Sequence, residues 1–222
     1  MNPSGVFPAV VLFVASIPFA DAAITLDPST RGRVGFVGPQ AEPTGYMVST
    51  DSSASLPVGD GATNNTVFSA LFNFTVSAHT AEISSATQIL FNVTISSISA
   101  NPPSQIRLVA LTNDTNTVFG ARSVAAGDIV ATLNVSPLSM GQTISFDVTN
   151  FVKADALAGN FSSYRLESDF AANNTNGAGD ILVFGTIASN DANLEVIPEP
   201  GSSGLLAGAA AVALLFRKRR LS

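Results

Sequence analysis

The side chains in this sequence that could do chemistry are one histidine, a few spaced carboxylates and two tyrosines. His79 lies in Ser77-Ala78-His79-Thr80-Ala81-Glu82. As a general base it would need a nucleophile in reach and an orienting carboxylate such as Glu82. No Gly-x-Ser-x-Gly elbow and no His-Glu-x-x-His pair accompanies it, so it is expected to be a solvated residue in a polar connection between strands. Acid pairs for glycoside hydrolysis could be drawn from Asp147, Asp155, Glu167 and Asp169. Glu167 and Asp169 alternate and share a strand face, which predicts a solvated face before an acid pair. Asp147 is expected to end a strand, and no enzyme activity is expected.

Two near-repeats, Ala126-Gly127-Asp128-Ile129-Val130 and Ala178-Gly179-Asp180-Ile181-Leu182, put an aspartate ahead of an apolar strand. Paired loop aspartates can ligate calcium, which makes Asp128 and Asp180 candidate metal ligands, with Asp60 of Gly59-Asp60-Gly61 similar. Ordinary turn chemistry explains the same residues, because no D-x-D-x-D run surrounds them. No other cofactor is expected. Sugar recognition by β domains uses aromatic rings with polar tips. Tryptophan is absent, which leaves Tyr46 and Tyr164 as the candidate ligand-binding residues, and the fifteen phenylalanines fall largely at apolar strand positions or near the N-terminus.

Composition narrows the partners. The net charge is -6 and only 12% of residues are charged, which excludes a nucleic-acid binder. The dense basic group Arg217, Lys218, Arg219 and Arg220 stands at the extreme C-terminus behind an apolar run. Cysteine is absent, so disulfides, thiolate metal sites and cysteine nucleophiles are excluded and the fold must rest on packing.

Both ends read as targeting segments. Val6 to Ile17 is an apolar stretch of signal-peptide length, and Ala20-Asp21-Ala22 supplies the small residues a signal peptidase reads. Cleavage after Ala22 is expected, although Met1 to Gly5 carries no Lys or Arg. At the other end Pro198-Glu199-Pro200 is followed by an apolar run over 204–216 and then the basic residues 217–220. A helix of that length rises about 20 Å, short of the hydrocarbon core, so it needs snorkelling cations or local thinning to span. The positive-inside rule places Arg217 to Arg220 in the cytoplasm and the rest of the chain outside.

This order of tripeptide, apolar run and basic end resembles the PEP-CTERM sorting domain of bacteria that build extracellular polymeric matrix. The resemblance implies an exosortase as partner: a membrane cysteine transpeptidase that would cut near Pro198-Glu199-Pro200 and release or re-anchor the protein. In such an organism the Asn-x-Ser/Thr sites at Asn64, Asn73, Asn92, Asn113, Asn134, Asn160 and Asn173 read as polar β-surface residues.

Between the ends, apolar and polar residues alternate in short runs separated by Gly, Asn, Asp and Pro. The spacing predicts strands over Arg33–Val37, Gly45–Ser49, Val67–Val76, Gln88–Ser96, Gln105–Thr112, Ile129–Val135, Thr143–Val148, Ser163–Ser168, Ile181–Ile187 and Asn193–Ile197. Thr149 to Gly159 breaks this rhythm with a Thr or Asn cap, apolar spacing near 3.6 and a Gly stop, which predicts one short helix. Phe151, Val152, Ala156 and Leu157 are expected to face the core, Lys153 and Asp155 the water. Ten short strands favour a sandwich.

Ile144-Ser145-Phe146-Asp147-Val148-Thr149-Asn150-Phe151-Val152 resembles a "φ-D-V-T-x-φ-V" stretch of DNRLRE-type jelly-roll domains. Leu56-Pro57-Val58-Gly59-Asp60 resembles that family's glycine turn, and Ala70-Leu71-Phe72-Asn73-Phe74 its Phe-rich strand, with Ser69 where an Arg is usual. The expectation is an all-β, jelly-roll-like sandwich with one short helix over 23–197, flanked by a signal peptide, 1–22, and a sorting tail, 198–222, with a transmembrane helix at 204–216. The function expected is that of a non-catalytic exported protein of the cell envelope or extracellular matrix, transiently anchored in the inner membrane. The alternatives are a carbohydrate-binding module for matrix polysaccharide and, behind it, an envelope hydrolase.

Overall fold

In the computed structural model, residues 22–37, 45–49, 53–61, 66–111, 127–168, 180–186, 189 and 191–199 are described. Residues 1–21 of the expected signal peptide and the expected apolar span at 204–216 lie outside them. Alternating burial produces two layers. β1 (Ile24–Leu26), β13 (Ala192–Pro198), β6 (Ala86–Thr94) and β10 (Thr143–Asp147) form a four-stranded sheet in that order. The larger sheet runs β7 (Ser97–Ile98), β12 (Asp180–Thr186), β4 (Ser55–Asp60), β5 (Thr66–Thr75), β11 (Phe161–Ser168), β8 (Gln105–Leu111) and β9 (Gly127–Asn134). β2 (Thr30–Val37) also pairs with β5 and carries β3 (Gly45–Ser49) on its other edge.

The layers meet through aromatic side chains. Phe91 of the small sheet packs edge-on to Phe72 and Phe74 of β5 at centroid separations of 5.2 and 5.8 Å, and stacks on Tyr164 of β11 at 5.4 Å. On the opposite face of the large sheet Val34, Leu71, Val109 and Leu111 form a second buried cluster. Period-2 alternation therefore sends apolar residues to both faces of β5, which explains why the Phe-rich segment reads as a nearly continuous apolar run.

Each of the ten expected strands is present, with its ends displaced by no more than three residues. β1, β4 and β7 went unforeseen. Leu56–Asp60, expected as a turn, is strand, because Leu56 to Asp60 are buried against β12 and β5. The connection around His79 is helical: a 3-10 turn over Ser77–His79 leads into α1 (Thr80–Ser85), which seats Ile83 in the core.

The expected helix is α2 (Thr149–Ala158), and Gly159 stops it in the left-handed conformation at φ 70. That conformation lets Asn160 N–H donate to the Asp155 carbonyl at 2.9 Å, closing the helix end. The start differs from expectation. Val148 holds the cap position with no side-chain bond, and Asp147 Oδ1 accepts from the Thr149 N–H at 3.0 Å and its hydroxyl at 2.6 Å. Val152 and Ala156, four apart, face the core, whereas Leu157 lies about 100° further round and is 76% exposed. Lys153 and Asp155 do not simply face water: Lys153 Nζ donates to the Ala86 carbonyl at 2.7 Å, and Asp155 Oδ2 accepts from Ser162 Oγ at 2.7 Å.

Candidate functional site: the end of the last strand

β13 is the element that delivers the tail. It pairs with β6 from Ala192↔Val93 to Ile197↔Gln88, and after an irregularity Pro198 meets Ala86. Its other edge pairs with β1 over Ile24↔Val196 to Leu26↔Leu194. Ala192, Leu194 and Val196 point into the core, while Asn193, Glu195 and Ile197 are half-exposed. Thr87 Oγ1 donates to the carbonyl oxygen of Ile197 at 3.2 Å, with Pro198 O further off at 3.5 Å. Glu199, directly after the strand, is exposed. Pro200 and the basic residues 217–220 lie outside the described residues, as does Ala20; Ala22 is exposed ahead of β1.

The candidate ligand residues separate. Tyr164 is fully buried, its ring stacked in the aromatic core and its hydroxyl 2.9 Å from Ser162 Oγ. A sugar platform needs an exposed ring face, so the ligand role expected for Tyr164 is corrected to a structural one. Burial pushes its phenol far above the usual tyrosine range. Tyr46 sits in β3 in register with Phe36.

The calcium candidates do not converge. Asp128 is exposed in β9 and Asp180 is in β12, and the strand path places β4, β5, β11 and β8 between those two strands. Asp180 instead stands in register with the buried Asp60. Among the described residues no three His, Asp or Glu side chains form a group that could hold a metal ion.

Glu167, expected on a solvated face, is only 8% exposed: its two oxygens accept from Arg107 Nη2 and Arg165 Nε, each at 2.8 Å. Each of its two carboxylate oxygens is thus engaged by a guanidinium group. Asp169 lies outside the described residues. Asp147 is held below the usual carboxylate range by its bonds to Thr149, while burial pushes Asp155 upward. His79 is partly exposed at the end of its turn.

One polar arrangement escaped sequence reasoning because it needs strand register. On the outer face of the small sheet Asn92 Nδ2 donates to Glu195 Oε2 at 3.1 Å and Asn193 Oδ1 at 3.3 Å, and Asn92 Oδ1 accepts from Ser145 Oγ at 2.6 Å. This network joins β10, β6 and β13, and the hydroxyls of Thr94 and Thr143 meet beside it at 2.9 Å.

Fold and tail together define a class: an all-β sandwich whose last strand runs directly into a C-terminal sorting signal. Residues 196–220 match the PEP-CTERM protein-sorting motif. The chain is thus an exported protein addressed to an exosortase. No curated protein matches it in sequence. Among the described residues no helix is long and apolar enough to cross a membrane, and the expected span at 204–216 is not among them.

Proposed function

We propose that this protein is a non-catalytic component of the cell envelope or extracellular matrix: a jelly-roll-like body exported behind a signal peptide cut after Ala22, then released or re-anchored by an exosortase. One observation carries the proposal. Val196, Ile197 and Pro198 belong both to β13 and to the matched sorting motif, so the signal is built onto the folded body itself. A non-catalytic role is supported by the fate of the carboxylates, since Glu167 is locked between arginines and Asp147 and Asp155 brace α2.

The test is fractionation of native cells that carry wild type or Pro198→Ala/Glu199→Ala/Pro200→Ala. Wild type is expected outside the inner membrane and the variant inside it. The same location for both would overturn the proposal.

A second reading, contact with matrix polysaccharide, is favoured by the Ser145–Asn92–Asn193 network, whose half-exposed amides and exposed Ser145 hydroxyl suit a polyhydroxylated ligand. Polysaccharide pull-down that is unchanged by Asn92→Ala and Asn193→Ala would remove it.

A further inference from the structure

We propose that the fold sets the upstream limit of tail processing: the sorting enzyme cuts C-terminal to Glu199, and the mature body keeps β13 whole. This rests on the reading that the tail is processed. An enzyme that reads its substrate as an extended segment needs that segment's edges free. β13 has neither edge free along its central part, since β1 covers Leu194 to Val196 and β6 covers Ala192 to Pro198. Ala192, Leu194 and Val196 are 2%, 0% and 1% exposed, so lifting the strand takes core side chains into water.

The hold weakens stepwise toward the tail. β1 no longer flanks Ile197 and Pro198, yet both still pair with β6, and Thr87 Oγ1 lies against their carbonyl oxygens. Those carbonyls belong to the Ile197–Pro198 and Pro198–Glu199 peptide bonds. Glu199 is exposed and follows the strand, so its carbonyl opens the first peptide bond outside the sheet. In the cut, the acyl carbon of Glu199 or of a later residue passes to the enzyme's thiolate, and the departing tail amine takes a proton. Water or an acceptor amine then displaces the thiolate from the acyl group.

The experiment maps the C-terminal residue of the mature protein from native cells by peptide mass. In parallel, purified full-length protein is trimmed with a broad-specificity protease. Both C-termini are expected at Glu199 or later, and an end between Ala192 and Pro198 in either would overturn the proposal. If native protein keeps its tail, the sorting reading fails, while the protease limit still decides the hold on β13. Leu26→Asp, which drives the short β1 off the core, is expected to move the protease limit to the N-terminal side of Pro198. An unmoved limit in that variant would overturn the clamp by β1.

Discussion

Ile24 stands across from Val196 in the β1–β13 ladder, so the first and last strands of the body are antiparallel neighbours. The residue before Ile24 and the residue after Pro198 therefore leave the small sheet at the same end. An N-terminal cut after Ala22 leaves β1 intact, and a C-terminal cut after Glu199 leaves β13 intact. Both expected trimming points thus flank one strand pair.

Phe91 is the aromatic hub between the sheets, touching Phe72, Phe74, Phe146 and Tyr164. Phe91→Ala is expected to cost about 3–5 kcal/mol of stability, read from denaturant unfolding. A loss within experimental error of zero would mean that the layers are not joined there.

Asp147 braces the entry to α2, and its pKa is lowered by hydrogen bonds to Thr149 and Gln88, with burial opposing. The lowered value means that this stabilisation is present above the ordinary carboxylate pKa and is lost as pH falls through the folded one. Asp147→Ala is expected to cost about 1 kcal/mol at neutral pH, in the range of a lost helix cap. Melting curves should show the gap from wild type closing in acid; a gap that persists unchanged there would contradict the assignment.

Asp155 has the opposite sign. Burial raises its pKa despite the hydrogen bond from Ser162, so its contribution is fully present below the ordinary carboxylate pKa and is lost as pH rises through the folded value. Asp155→Asn keeps an acceptor for Ser162 and cannot ionise. It should melt at or above wild type at neutral pH and lose that advantage in acid, whereas Asp155→Ala should melt lower. An Asn variant less stable than wild type at neutral pH would refute the burial argument.

Much of the fold was legible because alternation and turn residues mark strands locally. β5 and β6 are long enough for the pattern to dominate, and Gly159 ends α2 as a left-handed stop should. What stayed hidden depends on partners distant in sequence. Ser55–Asp60 looks like a turn because it contains Pro57 and Gly59, and it becomes strand through β12, more than 100 residues away. Tyr164 looked like a surface ring because sequence cannot tell which face of β11 meets Phe91. Glu167, on the other face of β11, reads as solvated because only strand register brings Arg107 of β8 against it. The sorting tail was the most legible element, because its signal is linear and needs no fold to be read.

The intact mass of the mature protein from its native cells tests the central claim most directly. The account predicts a species that begins at Ala23 and lacks the apolar and basic tail, with the Pro198/Glu199/Pro200 triple-alanine variant keeping that tail. Wild-type protein that retains Leu205 to Arg220 would contradict it.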